Sequence, residues 1–213
     1  MLRFVGAVLA MSGLLLLLDV GVTVMWQEPV SAYLASREQN TLERELGEQS
    51  RRFGRPAKVT SDEGPRTLAR AARAFEARLG TGDAFGRVAM PTLQQSFVVA
   101  EGTDAETLRT GPGHYPTTGL PGLSRTVALA GHRTTYLAPF AEIDDLERGD
   151  PIVLTMPYGR FTYRVESTRI VEPTAVWVTE RGTDRLVLTS CHPPFSAAQR
   201  IAVFARLANP VSN

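Results

Sequence analysis

The sequence predicts an all-β domain that follows an N-terminal transmembrane helix and a helical stalk. Two observations predict the β domain. From residue 86 onward, short apolar or alternating runs are separated by Gly, Pro and Asp. Residues 161–166 alternate strictly and follow an apolar run at 152–156 and a turn at 157–159, as in a β-hairpin. The spacing of the runs suits a closed or nearly closed barrel. Further candidate strands are residues 97–100, 127–130, 175–178, 185–190 and 201–207.

The amino terminus predicts a membrane anchor. Between residues 4 and 26 the only ionisable side chain is that of Asp19. As a helix this stretch would extend roughly 34 Å, which matches a hydrocarbon core of about 30 Å. The alternative is a cleaved signal peptide, with small residues at 30–32, although the stretch exceeds the roughly 7 to 15 residues of a signal core. Arg3 favours a cytoplasmic N-terminus. We therefore expect a single-pass plasma-membrane protein whose β domain is extracellular.

The chain divides into four predicted parts. Residues 1–29 form the cytoplasmic tip and the anchor, and residues 30–64 form a helical stalk and a linker. In the stalk, Leu42 and Leu46 make a narrow apolar stripe on an otherwise solvated helix, which favours a plain spacer. Residues 65–85 contain the N-terminal helix of the domain, and residues 86–213 form the barrel. The helix has one apolar face, which we expect to pack on the barrel or, alternatively, to lie on the membrane; the face consists of Leu68, Ala72, Phe75 and Leu79.

Charge and cysteine content limit the classes of function. The formal net charge is +1, which gives no reason to expect a nucleic-acid partner. The chain has a single cysteine, Cys191, so it cannot form an internal disulfide. In an exported domain such a thiol either pairs with another molecule or reacts.

Three side chains have the chemistry of acyl transfer. Cys191 closes the apolar run at 186–190, and His132 follows the run at 127–130. A thiol becomes a nucleophile when a base takes its proton, and histidine suits that role near neutral pH. Arg200 is the candidate for holding the carbonyl oxygen of a substrate. His192 competes for the role of base, but neighbouring residues on a strand point to opposite faces.

The sequence predicts neither a metal site nor a cofactor. A zinc site would have to combine Cys191 with histidines that lack any paired spacing, namely His114, His132 and His192. An acidic cluster at residues 144–150 also lacks an EF-hand pattern and indicates a solvated loop.

Together these segments resemble a known family. Residues 130–136 with Pro139 and Phe140, then residues 188–191 with Pro193, and finally Arg200 occur in the order found in the sortases. Sortases are membrane-anchored cysteine transpeptidases of Gram-positive bacteria, and the resemblance is strongest to the class E group of actinobacteria. It covers residues 86–208, and segments 111–115 and 120–122 add secondary similarity.

The resemblance implies an eight-stranded sortase barrel and a reaction. Cys191 would attack the Thr–Gly carbonyl of a C-terminal sorting signal on a surface protein, and an amine would take up the thioacyl group. His132 would move protons and Arg200 would hold the substrate or oxyanion. The amine would belong to a peptidoglycan precursor of the lipid II type, or to a pilin lysine in a pilin-polymerising sortase. An exported cysteine protease or hydrolase, which uses water instead, remains open.

The resemblance also indicates substrate contacts. Tyr136 stands where class E sortases carry a tyrosine linked to a preference for Leu-Ala-x-Thr-Gly over Leu-Pro-x-Thr-Gly. Ser190 replaces a threonine that is common in the family, a loss of one methyl group worth roughly 0.8 kcal/mol of burial. The loop after Cys191 adds His192 and Phe195 as candidate contacts, and His114 is a further candidate.

Overall fold

The structure, a computed structural model, describes residues 2–25, 29–53, 64–175 and 184–210. Its α-helices are α1 (Leu2–Met25), α2 (Pro29–Phe53), α3 (Gly64–Glu76) and α4 (Ala105–Thr110). Its strands are β1 (Ala84–Met90), β2 (Gln95–Glu101), β3 (Gly113–His114), β4 (Val127–Ala130), β5 (Pro151–Met156), β6 (Gly159–Val171), β7 (Arg185–His192) and β8 (Gln199–Pro210).

The eight strands close into a barrel in the order β1-β2-β3-β4-β7-β8-β6-β5. Two neighbouring pairs are parallel, β2 with β3 and β4 with β7, and the other pairs described are antiparallel. The interior of the barrel is filled by large apolar side chains such as Phe85, Phe161 and Tyr163, all fully buried. The predicted eight-stranded, all-β barrel is confirmed.

Most predicted strands are present, and the differences have simple causes. The hairpin at residues 152–166 is β5 and β6, joined where Met156 pairs with Gly159. Sequence analysis missed β3, which has only two residues, and β1, whose largely buried residues show no clear alternation. The strand predicted at residues 175–178 is not seen at Ala175, and residues 176–178 lie outside the described part of the chain.

Helix α3 packs as its spacing predicts. Leu68, Ala72 and Phe75 are buried in the main core of the barrel domain. The helix ends at Glu76, before Leu79, which still contacts the core from the following turn. The ring of Phe75 meets that of Phe53, at the end of α2, edge-on at 5.6 Å.

The prediction that the helical stalk within residues 30–64 is a solvated spacer is wrong. Leu42 and Leu46 of α2 are buried in a cluster on the outer face of the barrel, together with Ala84, Val98 and Ala100. Glu45 Oε1 of the same helix accepts a hydrogen bond from Ala84 N at 3.1 Å, so α2 is joined to the sheet by both apolar and polar contacts. Of the predicted linker at residues 54–64, residues 54–63 lie outside the described part of the chain, and Gly64 already begins α3.

Helix α1 covers Leu2–Met25, and its leucines at positions 14 to 18 are exposed. Within the described ranges, no helix combines the length and the apolar character that a membrane crossing requires. The membrane anchor predicted for residues 4–26 stays a prediction.

Candidate active site

The parallel pairing of β4 with β7 brings His132 beside Cys191. In this ladder Ala130 pairs with Thr189, and His132 and Cys191 each follow two residues later. The two segments stay in contact beyond the Ala130–Thr189 pair. Gly131 N donates to Thr189 O at 3.1 Å, and Ser190 Oγ donates to Gly131 O at 2.8 Å. The two apolar runs therefore end at the same level of the barrel.

The antiparallel pairing of β7 with β8 adds Arg200. Cys191 pairs directly with Arg200, and directly opposed residues project from the same face of a sheet. Nη1 of Arg200 donates to the carbonyl oxygens of Ala197 at 3.1 Å and Gln199 at 2.9 Å. These bonds hold the guanidinium against the β7–β8 loop and, within the described residues, leave Nε and Nη2 for another acceptor.

A groove of about 250 Å³ lies over these residues. His132, Cys191 and Arg200, the three predicted catalytic residues, all line it. Its floor and walls are completed by Thr103, Leu108, Tyr115, Ala130, Gly131, Thr189 and Ser190. The structure thus brings His132 and Arg200 to one groove although 68 positions separate them in the sequence.

His132 is in an environment that favours its neutral form. Burial lowers the pKa of the imidazole below its ordinary value of 6.5, because the charged form loses water. The ring lies 5.0 Å from that of Tyr136, tilted by 41°. A neutral imidazole beside a half-buried thiol can accept the proton of that thiol.

The loop that carries His132 has a demanding backbone. A Cβ atom at Gly131 would lie 2.5 Å from the ring of Phe140, so only glycine lets that ring pack there. Farther along, Tyr136, Leu137 and Ala138 all have left-handed φ angles of 42° to 66°. Such residues persist only where the surroundings hold them. One restraint is the bond from Phe140 N to His132 O at 3.1 Å.

Arg133 anchors the same loop, and sequence analysis did not single it out. It is buried, and its Nη2 lies 2.7 Å from Asp144 Oδ2. Asp144 belongs to the predicted acidic cluster, in which Asp150 also accepts a hydrogen bond from Glu147 N at 2.9 Å. At least part of this cluster therefore forms an ion pair and a turn. The sequence carries no signal for this ion pair, because arginine is mostly exposed and its partner Asp144 lies eleven residues away in the chain.

The structure places His114 away from the groove lining. The residue is 1% exposed, and its ring stacks on Phe85 at 4.1 Å. Its Nδ1 lies 2.7 Å from Glu101 Oε2 and its Nε2 lies 3.1 Å from Gly119 O. A side chain so enclosed is in no position to contact substrate, and the prediction that it does so is corrected. The next residue, Tyr115, follows β3, donates its backbone N–H to Ala128 O at 3.0 Å and lines the groove instead.

Of the other predicted substrate contacts, one lines the groove and three do not. Ser190 lines the groove, but its side chain is buried and its hydroxyl donates to Gly131 O. Tyr136, His192 and Phe195 are absent from the described lining of the groove. His192 pairs with Gln199, one step past the pair of Cys191, so its side chain faces away from the thiol. Phe195 is 82% exposed on the loop between β7 and β8.

The groove wall contains residues that the sequence did not reveal. Tyr115 follows β3, and its hydroxyl lies 3.0 Å from Thr189 Oγ1. Leu108 belongs to α4 and Thr103 precedes it. Tyr115 lies in the segment 111–115 but was not singled out as a site residue, and Thr103 and Leu108 belong to no motif. Only the path of the chain from β2 through α4 to β3 brings the three residues to the groove. In the described ranges, no group of three or more His, Cys, Asp or Glu side chains forms a potential metal site.

Comparison with known proteins agrees with this arrangement. A family model described as the sortase domain matches residues 88–208. The chain is 36% identical over 115 residues to Sortase D of Bacillus subtilis, a match that covers 53% of this chain and 57% of that protein. It is 31% identical over 143 residues to Sortase SrtE1 of Streptomyces coelicolor, covering 59% of this chain and 41% of the relative. The chain thus spans about half the length of these two relatives.

A solved structure shows the same fold. The crystal structure of Sortase E1 from Streptomyces coelicolor with a tripeptide in the active site superposes with a TM-score of 0.57 at 30% identity, covering 60% of this chain and 90% of that one. The family model takes in β4, β7 and most of β8, and with them the groove over Cys191. On this evidence, the chain belongs to the sortase family, with class E sortases among its relatives.

Proposed function

We propose that this protein is a cysteine transpeptidase that cleaves a C-terminal sorting signal and joins the new carboxyl end to an amine. One observation carries the proposal: the registers of β4 with β7 and of β7 with β8 place His132, Cys191 and Arg200 on a single groove. A nucleophile, a base and a cation at one groove are the groups that acyl transfer requires.

The first half-reaction breaks the peptide bond. His132 takes the proton of the Cys191 thiol as Sγ attacks the carbonyl carbon between Thr and Gly of the signal. Negative charge develops on the carbonyl oxygen, and the guanidinium of Arg200 stabilises it through Nε or Nη2. When the tetrahedral intermediate collapses, His132 gives the proton to the leaving amine of glycine. The tail departs, and the acyl group stays on Cys191 as a thioester.

The second half-reaction forms the new bond. A free amine attacks the thioester carbonyl, and His132 takes a proton from the attacking nitrogen. The thiolate of Cys191 leaves and recovers that proton, which returns the protein to its starting state. If water attacks instead, the product is a free acid and the protein acts as a hydrolase. The groove is partly open, so exclusion of water depends on the bound peptide and the amine.

The substrates we propose are surface proteins with a Leu-Ala-x-Thr-Gly or Leu-Pro-x-Thr-Gly signal, and the acceptor is the amine of a lipid II type precursor. Support comes from class E relatives and from the tripeptide in the active site of the Streptomyces coelicolor enzyme. Tyr136, which lies against the ring of His132, is the proposed determinant of the Ala-containing motif. Phe195 and His192 on the adjoining loop are proposed as outer contacts. Polymerisation of pilins is the alternative use of the same chemistry.

A peptide transfer experiment tests this function. We would incubate the full-length protein in detergent with Leu-Ala-x-Thr-Gly and Leu-Pro-x-Thr-Gly peptides, with and without an added amine, and identify products by mass spectrometry. We expect cleavage between Thr and Gly and a new amide to the amine, with the Ala-containing peptide preferred. The full chain is used because α2 packs on the barrel.

Two controls sharpen the result. A peptide of the same composition in scrambled order should remain intact. A chelator should leave the rate unchanged, because the proposed steps need no metal. Free acid as the only product at every amine concentration would instead establish a hydrolase, and cleavage outside the Thr–Gly bond would refute the proposed signal.

We further propose that residues 4–26 anchor the protein in the plasma membrane, with the N-terminus in the cytoplasm and the barrel outside. The support is the sequence, in which Asp19 is the only ionisable residue of that stretch. Carbonate-washed membranes should retain the full-length protein, and protease added to intact protoplasts should digest the barrel. Release of the protein by carbonate, or protection from protease, would refute the anchor or its orientation respectively.

A further inference from the structure

Helix α2 bonds to the barrel at a gap in the wall. The ladder between β2 and β3 contains only the pairs Ala100–Gly113 and Glu101–His114. Val98, which is buried, lies before this ladder and has no strand partner on the β3 side in the described chain. A buried backbone amide and carbonyl without partners would be unfavourable.

The side chain of Gln39 on α2 takes the place of the missing strand. Its Oε1 accepts a hydrogen bond from Val98 N at 2.8 Å, and its Nε2 donates to Val98 O at 2.9 Å. The same Nε2 donates to Thr110 O at 2.8 Å. One primary amide therefore satisfies β2 and the end of α4 together. Only an amide, with one acceptor and two donor hydrogens, can make all three bonds.

Gly111 is an independent sign of this contact. A Cβ atom at this position would overlap Nε2 of Gln39. The residue after α4 therefore has to be glycine if the amide is to reach Thr110 O. Gly111 therefore leaves room for the Gln39 amide on the side of α4. On the side of α2, Leu42 and Leu46 hold the helix against the barrel.

The bond to Thr110 leads to the groove. Helix α4 covers Ala105–Thr110, and its N-terminus is capped by Asp104, which accepts from Glu106 N and Thr107 N, each at 3.0 Å. Leu108 of this short helix lines the groove, as does Thr103 just before it. The wall is thus held at one end by its cap and at the other by Gln39. The three proposed catalytic residues are held by other segments, His132 by the loop after β4, Cys191 by β7 and Arg200 by β8.

We propose that Gln39 is a positioning residue for the groove wall, so that α2 sets the fit of the substrate peptide through α4. The inference rests on the proposed peptide transfer for its kinetic consequence. Because the wall binds peptide and does not carry the reacting groups, loosening it should weaken peptide binding more than it slows the chemical steps.

The test compares Gln39→Glu and Gln39→Ala with the wild type in the full-length protein. Glutamate keeps the size of the side chain but lacks the N–H groups that bond Val98 O and Thr110 O. The matched control is Asn40→Asp, which adds the same charge to an exposed position of the same helix. We would measure kcat and KM for the Leu-Ala-x-Thr-Gly peptide and hydrogen exchange of the backbone amides at residues 98 and 105–111.

We expect KM to rise about tenfold in the Gln39→Glu variant, the equivalent of one to two lost hydrogen bonds, with kcat changed by less than about twofold. Backbone amides at residues 105–111 should exchange faster in both Gln39 variants, whereas Asn40→Asp should match the wild type in every measurement.

Three outcomes would overturn the inference. Faster exchange with an unchanged KM would make Gln39 a stability contact only. An unchanged exchange rate in Gln39→Ala would show that the amide does not hold α4. A fall in kcat with KM constant would place the effect on the reacting groups. If the wild type transfers no peptide at all, the proposed function fails, and exchange at residues 105–111 alone decides whether Gln39 holds the wall.

Discussion

Replacing Cys191 with alanine is expected to abolish peptide cleavage and transfer, with a loss of at least about 10³-fold in kcat/KM. The reason is that Sγ forms the bond to the acyl group, and no other cysteine exists in the chain to replace it. The measurement is the peptide transfer reaction, followed by mass spectrometry of the intact protein for the thioacyl adduct. The adduct should appear in the wild type under limiting amine and be missing in the variant.

The matched control for this variant is folding. Cys191 is half-buried, and alanine differs from it only by the sulfur, so the melting temperature should change little. If Cys191→Ala lost both its activity and its folded state, the loss of activity could not be assigned to the missing thiol. Cys191→Ser, whose side chain has nearly the same size, is then the variant to measure. Activity at the wild-type level in a folded Cys191→Ala protein would refute the cysteine mechanism altogether.

Replacing His132 with alanine is expected to lower kcat/KM by about 10² to 10⁴-fold, the range that a general acid–base residue contributes. The pH profile gives a sharper readout than the rate. Burial lowers the pKa of His132 below 6.5, so the neutral base persists at neutral pH and is lost only as the pH falls through that lowered value. Wild-type kcat/KM should therefore decline on the acid side with a midpoint below 6.5, the ordinary pKa of histidine.

The residual activity of the His132→Ala variant should lack this acid decline. Arg200→Lys is the companion variant, because it keeps a positive charge at the groove but removes the fork that can hold a carbonyl oxygen. It should be slower than the wild type yet retain the acid decline with the same midpoint. A His132→Ala protein with the wild-type pH profile would assign the base to another group, with His192 as the first candidate to replace next.

Stability should follow the same titration. The unfolded chain binds a proton at His132 near pH 6.5, while the folded protein resists that proton until a lower pH. The contribution of His132 to the unfolding free energy is therefore fully present above pH 6.5, the ordinary pKa, and declines as the pH falls from 6.5 towards the lowered pKa. The difference in stability between wild type and His132→Ala should change in this window and be constant above it.

Sequence reasoning succeeded where local chemistry decides the structure. The alternation at residues 161–166 predicted part of β6, because burial on one face of a strand leaves a period of two. The spacing of Leu68, Ala72 and Phe75 predicted the buried face of α3 for the same kind of reason. His132, Cys191 and Arg200 were identified because each residue has chemistry that is rare in its setting at the end or start of an apolar strand.

Sequence-based predictions were wrong where segments distant in the chain determine the surroundings of a residue. His114 was taken for a substrate contact, but Glu101 and Gly119, which neighbour it only in the folded chain, enclose both ring nitrogens. Leu42 and Leu46 were predicted to be part of a solvated stalk, since two leucines in a polar helix do not indicate which surface the helix packs against. The partner is a patch of small side chains on β1 and β2, and nothing in the helix itself encodes it.

The sequence by itself determined the strand patterns, the single reactive thiol and the three side chains suited to acyl transfer, because these depend on residue type and short-range periodicity. Only the tertiary structure decided that β4 and β7 run parallel in a register that aligns residues 132 and 191, and that β8 brings residue 200 opposite the thiol. Strand order in a barrel is set by packing between segments far apart in the chain. The groove wall of α4 and its contact with Gln39 arise from the same long-range packing.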